Sequence, residues 1–372
     1  MKATIKKADL LPVLSKVQGL TGRRTNLAIT TNVLLKTEKD GLLISATDLE
    51  TGFEGLYPAK VEKEGIIAIN ARKLYEIVRD FPIDDIFLNE VENHWIEIGN
   101  KNIEYHIVGL NPDDFPEIPK IEAIEFFKID SAALNKMIER AVIVSGSSDD
   151  KRAHIIGVYA ERLEEKKNKL FRFVSTDGSR LSKVDTVFEK DAHLPSGDNV
   201  IIPKKGLVEI SKFLDDEGPV KIGFKDNNFI VKKDSETLII LLLEGDFPEY
   251  GDIIVQKGGH SIVMERQPFL MMLKRMSILS SEDYKGVIFN FDKNQLVITS
   301  TNPDIGESKE DMDVVYSGDP ITVMFNPKFF IETLNVIDED KVILNIIDEE
   351  KPCLLESEQD KTYLSVIMPM RI

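Results

Sequence analysis

The tetrapeptide "DFPE" occurs twice in this chain, at 114–117 within "GLNPDDFPEIP" and at 246–249 within "LLLEGDFPEYG". Each occurrence closes a strand-like run with an aromatic-proline step, a combination typical of a strand that gives way to a turn. The C-terminal stretch "TYLSVIMPMRI" has a similar strand-then-proline form. Pro116, Pro248 and Pro369 are therefore spaced by 132 and 121 residues, which predicts three similar spans along the chain.

Three more sequence features recur with nearly the same offsets. A helical pattern with apolar residues at i, i+4 and i+7 lies early in each span, and a second one follows in "NARKLYEIVRDF", "PKKGLVEISKFL" and "NPKFFIETLNVI". Between them lie two strand patterns and a polar signal, "SATDLE", "VSTDGS" or "TSTNPD". The marker residues are Leu10, Leu14, Val17, Leu134, Ile138, Ala141, Phe269, Leu273 and Met276 for the first helix, Thr47, Thr176 and Thr301 for the polar signal, and Leu74, Leu207 and Phe330 for the second helix. We therefore predict an α+β protein of three tandem modules, at 1–123, 124–250 and 251–372.

Length and composition agree with several closely joined domains. The chain has 372 residues, of which 42% are hydrophobic, and this is too long for a single core. The start lacks the features of a secretion signal, and the longest aliphatic run, "LIILLL" at 238–243, is too short to cross a bilayer. The single cysteine, Cys353, cannot form an internal disulfide. These observations predict a soluble cytoplasmic protein with no membrane partner.

The sequence gives little support for a catalytic function. The five histidines show no HxxxH or HExxH spacing, and neither a GxSxG elbow nor a phosphate-binding glycine pattern is present. Paired carboxylates in turn-like contexts are the remaining candidates for metal ligands, although solvated loop tips are the favoured interpretation. They are Asp84-Asp85, Asp149-Asp150 and Asp215-Asp216. We predict a non-catalytic protein with no cofactor and no metal.

The distribution of charge is more informative than the total of −17. The six helical windows, at 4–18, 71–80, 130–144, 203–214, 265–277 and 326–337, together carry +7, so the rest of the chain carries −24. These cations could simply form the wet faces of amphipathic helices. An acidic body with basic helices also suits a polyanion held inside a hole, because negative charge elsewhere repels it from other surfaces. Three modules are too few to close around a duplex, so this hypothesis requires self-association.

The triplication, together with "STDGSRLS", "EGDFPEY" and the terminal "VIMPMRI", resembles the bacterial DNA sliding clamp, the β subunit of DNA polymerase III. The resemblance covers essentially the whole chain. It implies a head-to-tail homodimer that forms a ring, with antiparallel sheets outside and helices lining the hole. It further implies a processivity factor that encircles double-stranded DNA without sequence specificity. Replicative polymerase, clamp loader and repair proteins would dock on it through short linear peptides.

The resemblance and the charge pattern together predict three sets of site residues. The DNA-facing set is Lys6, Lys7, Lys16, Arg23, Arg24, Arg72, Lys73, Arg79, Lys136, Arg140, Lys151, Arg152, Lys204, Lys205, Lys212, Arg266, Lys274 and Arg275. The peptide-binding groove is Ile155, Thr176, Gly178, Ser179, Arg180, Leu181, Pro248, Ile253, Tyr284, Asn326, Phe329, Pro352, Val366, Ile367, Met368, Pro369, Met370 and Arg371. At the dimer interface, Tyr105 in "NIEYHIV" is expected to meet Ile278, Leu279 and the strand "QLVITS" of the partner.

Two positions of the predicted groove depart from the family pattern. Ser179 stands where relatives often carry histidine, and Asp252 stands where an arginine can line the groove. Asp252 is expected to disfavour acidic residues in a ligand. Two alternative functions stay open at this point: a scaffold that uses the same groove without binding DNA, and an enzyme that uses the carboxylate pairs.

Overall fold

A computed structural model gives the fold for residues 1–22, 27–100, 102–119, 122–144, 146, 150–165, 168–188, 199–214, 217–255, 258–281 and 285–371. Within these residues, three copies of one arrangement follow each other along the chain. Each copy has eight strands and two long helices in the same order, so the predicted α+β fold with three tandem copies is confirmed.

The elements of each copy lie at equivalent places. The first copy consists of β1 (Lys2–Lys6), α1 (Lys7–Thr21), β2 (Asn32–Glu38), β3 (Gly41–Thr47), β4 (Thr51–Lys63), β5 (Ile66–Asn70), α2 (Ala71–Asp80), β6 (Asp85–Glu90), β7 (Trp95–Gly99) and β8 (Glu104–Val108). The second consists of β9 (Phe126–Asp130), α3 (Ser131–Val142), the short α4 (Ala153–Ile156), β10 (Gly157–Glu165), β11 (Asn168–Thr176), β12 (Arg180–Phe188), β13 (Val200–Pro203), α5 (Lys204–Phe213), β14 (Pro219–Lys225), β15 (Asn228–Lys233) and β16 (Glu236–Leu241). The third consists of the short α6 (Gly251–Ile254), β17 (His260–Glu265), α7 (Arg266–Met276), β18 (Val287–Asp292), β19 (Gln295–Asn302), β20 (Gly306–Asp313), β21 (Ile321–Phe325), α8 (Pro327–Asn335), β22 (Lys341–Ile346), β23 (Cys353–Ser357) and β24 (Tyr363–Ile367).

Local sequence explains where the helices begin and which face they bury. The side chain of Asn70 accepts a hydrogen bond from the Lys73 amide at 3.0 Å, which satisfies one of the unpaired donors at the start of α2. Pro327 occupies the first turn of α8, where its missing N–H is tolerated. The repeated apolar marker residues of both helical patterns are buried, as an amphipathic helix packed on a sheet requires.

The strands of every copy form two antiparallel quartets. The first quartets run β5-β2-β3-β4, β13-β10-β11-β12 and β21-β18-β19-β20, and the second quartets run β1-β6-β7-β8, β9-β14-β15-β16 and β17-β22-β23-β24. Two joints connect successive copies: β4 pairs with β16, and β12 pairs with β24. In each joint, the last strand of one copy's first quartet pairs with the last strand of the second quartet in the next copy. Successive copies therefore share continuous sheets.

These joints explain how the chain divides into compact units. One unit contains 1–132 and 205–242, and the other contains most of the remaining residues, including 243–372. The second copy is thus split, because each of its quartets is hydrogen-bonded to a different neighbouring copy. The predicted module boundaries stay a prediction.

The cores of the first and third copies lie between their helices and their sheets. In the third copy, Phe269 of α7 and Phe330 of α8 pack with Phe289 and Phe325, with ring centroids 5.2 to 6.2 Å apart. Cys353 is completely buried, and this burial raises the pKa of its thiol. No helix among the described residues is long and apolar enough to cross a membrane.

Candidate functional site

The joint between β12 and β24 carries an apolar cluster that contains part of the predicted groove. Leu181 and Val366 are register partners across this joint and pack with Val174 and Leu354. Because side chains alternate along a strand, all four project from the same face of the sheet. Partly buried side chains cover this floor: Tyr159, Phe247, Tyr250, Ile254 and Leu364. The second DFPE segment therefore leads directly into the wall of the cluster.

The turn before β12 is shaped by its own side chains. Asp177 accepts hydrogen bonds from the amides of Ser179 and Arg180 at 3.0 and 3.1 Å, and Thr176 Oγ1 donates to the Arg180 carbonyl at 2.8 Å. Gly178 has φ of +88°, a backbone conformation that other residues adopt only with strain. The Ser179 carbonyl then accepts the Met368 amide at 2.9 Å, which ties the C-terminal segment to this turn.

Arg180 is buried behind this turn. Its guanidinium donates to Asp177 at 2.9 Å, to Glu332 at 2.6 Å and to the Ile143 carbonyl at 2.9 Å. The same group lies 4.4 Å from the ring centroid of Phe329. Its role in the groove is thus to position Phe329, since its donors are already engaged within the chain.

The C-terminal segment borders a cavity of about 930 Å³. The Met370 amide donates to the Met324 carbonyl at 2.8 Å, so this segment extends the edge of β21. The cavity is lined by Thr322, Val323, Met324, Glu349, Glu350, Met368, Pro369, Met370 and Arg371. A second cavity of about 730 Å³ has Asn326 and Phe329 in its wall. Flexible methionines beside open cavities suit the binding of varied apolar side chains.

Other predicted groove residues differ in their placement. Ile253, Met368 and Met370 are about 40% exposed, as surface ligand contacts require. Ile155 and Ile367 are buried, and Ile367 projects to the face opposite Val366 because alternate residues of β24 point opposite ways. The Ile367 side chain therefore belongs to the core rather than to the groove, while the assignment of Ile155 to the groove stays a prediction. Of the rest, Thr176 and Pro352 are half-buried, Ser179, Pro248, Pro369 and Arg371 are half-buried or exposed, and Tyr284 lies outside the described residues.

The groove floor continues into a buried ionic cluster that sequence reasoning missed. Arg172 pairs with Asp185 at 2.6 Å and lies 3.8 Å from Glu161, while Lys183 contacts Asp185 at 2.8 Å. The Tyr250 hydroxyl donates to Glu161 and connects this cluster to the apolar floor. A charged residue inside "LFRFVST" was the available signal, because an arginine in an otherwise apolar strand requires buried partners.

Most cations of the predicted DNA-facing set are exposed, but few of them are unpaired. On α2, Arg72 and Lys73 both contact Glu76, at 3.0 and 2.9 Å. The other ion pairs are Lys6 with Asp84 and Asp85, Lys16 with Glu236, Arg79 with Asp80, Lys136 with Asp338, Arg152 with Asp150, Lys205 with Asp48 and Glu50, Lys212 with Glu209, and Arg275 with Glu310. The charge of each helical window therefore overstated the free positive charge, because several partners lie on neighbouring elements.

Four members of that set have other environments. Lys151 and Lys274 are exposed and form no ion pair within the described residues. Lys7 donates to the carbonyls of Arg79 and Phe81, and Arg266 donates to those of Leu334 and Glu339. The last two side chains thus satisfy carbonyls at the ends of α2 and α8 and, for Arg266, also one in the loop after α8.

Two predicted DNA-facing side chains are buried, and this corrects their assignment. Arg140 is 3% exposed, pairs with Asp360 at 2.9 Å and stacks on Tyr363. Lys204 is 9% exposed, and its ammonium group donates to the carbonyls of Val144 and Ile155. Burial lowers the pKa of Lys204 to about 8. Neither side chain can reach a phosphate from this position, and Arg23 and Arg24 lie outside the described residues.

The predicted interface residues lie at or beside sheet edges. Tyr105 on β8 is 43% exposed, Ile278 is 74% exposed and Leu279 is half-buried. The strand "QLVITS" belongs to β19, which pairs with β18 on one side and β20 on the other. The expectation that this strand meets a partner is therefore wrong, since both of its edges are already occupied. The open strand of that sheet is β20, whose polar sequence "GESKEDMD" hides its strand character.

Beside the β8 edge lies one group of possible metal ligands. Glu97, Glu104 and His106 place one ligand atom each within 4.8 Å of one another, and His106 Nε2 lies 3.1 Å from Glu104. Glu97 and His106 are register partners on β7 and β8. A search for linear histidine motifs could not find this group, because its members come from two strands.

Comparison with known proteins identifies the class of this fold. Three family descriptions match in tandem: DNA polymerase III beta subunit N-terminal domain at 1–119, central domain at 128–249 and C-terminal domain at 252–371. The chain belongs to the DNA polymerase III beta subunit family, the beta sliding clamps.

Relatives and solved structures agree over the full length. The chain is 28% identical to the beta sliding clamp of Chlamydia pneumoniae, over 100% of this chain and 99% of the relative, and 29% identical to that of Vibrio cholerae, over 100% of each. The DNA polymerase III beta subunit structure from Pseudomonas aeruginosa has a TM-score of 0.90 and 28% identity, with 100% of both chains covered. A sliding clamp from Bartonella birtlesii, solved bound to griselimycin, has a TM-score of 0.91 and 26% identity, again over 100% of both chains.

Proposed function

We propose that two copies of this chain join head to tail into a closed ring that encircles double-stranded DNA and acts as the processivity factor of the replicative polymerase. One observation carries the proposal. The strands β5, β13 and β21 each end the first quartet of their copy in the same way. Among the described residues, however, β8 lacks the partner strand that its counterparts β16 and β24 possess, and β20 lacks the one that β4 and β12 possess. The counterparts β16 and β24 pair with β4 and β12, so β8 of one chain is the natural partner for β20 of another.

Edge pairing of this kind has a clear physical basis. Among the edge strands of the described sheets, β8 and β20 each present unpaired N–H and C=O groups, and joining them satisfies both rows at once. Exposed apolar side chains flank them: Tyr105 and Val108 on β8, and Ile278 and Ile305 near β20. Each chain has one edge of each kind, so two chains can close a symmetric pair with two identical joints.

The self-association is tested by mass in solution over a dilution series. We expect twice the chain mass at micromolar concentration, and Tyr105→Asp shifts the equilibrium toward monomer because it places a charge in the joint. Leu56→Asp is the matched control, since Leu56 has similar exposure but lies on β4, which is paired on both sides. A wild-type monomer at every concentration rejects the ring.

The grip on DNA is topological and sequence-independent in this proposal. Exposed ion pairs contribute only about 0–1 kcal/mol each, so phosphates can replace Glu76 as the partner of Arg72 and Lys73 at little cost. We keep the exposed cations of the predicted set as DNA-facing and remove Arg140 and Lys204. Cytoplasmic location and absence of catalysis follow from this role, in which the protein tethers other enzymes to DNA.

Encirclement is tested with protein placed on nicked circular DNA by a clamp loader. We expect the complex to survive high salt and to be lost once the circle is linearised, and equal loss from both forms contradicts encirclement. Replacing Arg72, Lys73 and Lys274 together by alanine reduces loading and makes its salt dependence shallower, because fewer phosphate contacts release fewer counterions. The control replaces Lys128, Lys221 and Lys232, an exposed row of register partners on β9, β14 and β15, and leaves loading unchanged.

The apolar groove is proposed as the docking site for short linear peptides of polymerase, clamp loader and repair proteins. It combines a buried floor, exposed methionines and two open cavities. The Bartonella clamp was solved with griselimycin, and one from Caulobacter crescentus with polyethylene glycol at a putative tethering region, so related folds accept elongated ligands. Ile253→Ser with Met370→Ala is expected to weaken peptide binding at least tenfold, whereas Met271→Ala, equally exposed on α7, has no effect.

The alternative function is a protein scaffold that uses the groove but no DNA. The same two triple variants separate the two functions. A scaffold retains its full activity without Arg72, Lys73 and Lys274, whereas a clamp loses DNA loading while it still binds peptide.

A further inference from the structure

The segment that walls the apolar groove is strongly acidic. Glu244, Asp246, Glu249 and Asp252 alternate with the residues of the same segment that pack onto the groove floor. All four carboxylates are exposed, and none forms an ion pair or a hydrogen bond within the described residues. We refer to these four residues as the acidic rim.

Acidic residues elsewhere around the groove are compensated. Asp177 and Glu332 are held by Arg180, and Asp185 is held by Arg172 and Lys183. The acidic rim thus differs from its surroundings, because no described cation is paired with it. Its negative charge is available to a ligand.

The opposite end of the groove repeats this pattern. Glu349 and Glu350 line the larger cavity beside Met324, Met368 and Met370 and form no ion pair in the described part of the chain. Arg371 is the single cation of that lining. Six carboxylates that form no ion pair within the described residues therefore lie around the apolar docking surface. The cations that line its cavities are fewer: Arg371 in the larger one, and Lys285 and Lys328 in the smaller one, where Lys328 pairs with Glu332.

We propose that the partner peptides of this groove are cationic, with lysine or arginine flanking their apolar anchors. The inference rests on the proposed peptide-docking function and specifies its ligand. Like charges across an interface are repelled, so the acidic rim also excludes nucleic acid and acidic peptides from this face. An extended peptide fits the observations, because it can bury alternate side chains on the floor while the intervening ones face the rim.

Fluorescence anisotropy with three labelled peptides tests the charge preference on the full-length protein. Each peptide has leucines at alternate positions, and the flanking residues are lysine, glutamine or glutamate. In low salt we expect the lysine peptide to bind about tenfold more tightly than the glutamine peptide and the glutamate peptide to bind more weakly still. Exposed charges are screened, so the three affinities converge at about 0.5 M salt.

Neutralising the rim identifies the responsible side chains. Asp246→Asn, Glu249→Gln and Asp252→Asn together should weaken the preference for lysine, of which Glu244, Glu349 and Glu350 keep a part, and leave the glutamine peptide unaffected. The matched control neutralises three exposed turn carboxylates, Asp40, Asp226 and Asp234, and keeps the preference. All six side chains are exposed, so folding is retained in both variants.

The outcomes distinguish failure of the cationic-ligand inference from failure of the peptide-docking function on which it rests. Equal binding of the three peptides in low salt, or a preference that the triple variant leaves unchanged, overturns the cationic ligand while the docking function stands. Failure of all three peptides to bind at any concentration overturns the docking function itself.

Discussion

Arg72 on α2 and Arg172 on β11 both pair with carboxylates, in opposite surroundings. The Arg72 side chain is 80% exposed and contacts Glu76 on the same helix, while the Arg172 side chain is 7% exposed and contacts Asp185 and Glu161 inside a sheet layer. An exposed pair is weak and exchangeable, whereas a buried charge is fixed by the penalty of leaving its partners unpaired. Burial therefore decides which cations are available to a ligand and which maintain the fold.

The largest expected effect separates these two arginines. Arg172→Ala should lower the free energy of unfolding by about 3–5 kcal/mol, because it leaves Asp185 and Glu161 buried without their main cation. Arg72→Ala, the matched control, should change it by less than about 0.5 kcal/mol. Urea unfolding of both variants measures the difference, and similar losses break the comparison.

Lys204 extends the comparison to pH. Its pKa in the folded protein is about 8, compared with an ordinary 10.5, so between these values the unfolded chain holds a proton that the folded chain has released. The penalty for burying the ammonium group is complete below pH 8 and disappears as the pH rises toward 10.5.

The stability gained by Lys204→Met relative to wild type should therefore shrink by about 3 kcal/mol across that window. Unfolding curves at pH 7 and pH 10.5 measure this. Lys205→Met is the control, because it measures how the removal of an exposed lysine from the same helix changes the free energy of unfolding. A gap between wild type and Lys204→Met that is constant with pH contradicts the burial argument.

Arg180 tests a buried arginine whose carboxylate partners, Asp177 and Glu332, are more exposed than those of Arg172. Arg180→Ala removes charge-assisted hydrogen bonds to Asp177 and Glu332 and the contact with Phe329, so we expect a loss of about 2 kcal/mol in unfolding free energy. Arg180→Lys should recover only part of it, because lysine lacks the planar fork. Thermal unfolding distinguishes the two variants, and full recovery by lysine indicates that charge alone matters.

The smallest expected effect concerns the turn that holds Asp177. Gly178→Ala should cost about 1 kcal/mol, since alanine is strained at φ of +88° even though the space around it is open. Gly251 is the matched control: it also has open space, and its φ is not in the left-handed region. Gly251→Ala should be neutral or slightly stabilising, and equal effects of the two substitutions contradict the backbone argument.

The repeat pattern predicted the fold because equivalent apolar side chains are buried in all three copies. Leu74, Leu207 and Phe330 recur at equivalent places and are all fully buried. The identity of the open edge could not be predicted, since strand pairing is set by contacts distant in sequence. "QLVITS" has the alternation of a strand and "GESKEDMD" does not, yet only the second has an open side.

The sequence predicted the positions of the helices well, but it did not predict which of their charged side chains are paired or buried. The acidic partners of Lys16, Lys136 and Arg275 lie 35 or more residues away along the chain, so no local window contains them. The buried state of Arg140 depends on Asp360 and Tyr363, which come from the end of the third copy. In the groove, the period of β24 excludes Ile367, but only after the strand and its register are known.

The buried thiol of Cys353 makes this chain convenient to label. It is the only cysteine in the sequence, it is inaccessible between β22 and β24, and its raised pKa suppresses the reactive thiolate. A cysteine introduced at an exposed position on β8 or β20 is therefore the only site that a maleimide dye modifies in the native protein. Energy transfer between two singly labelled chains can then report opening and closing of the proposed joint without any change to the natural cysteine.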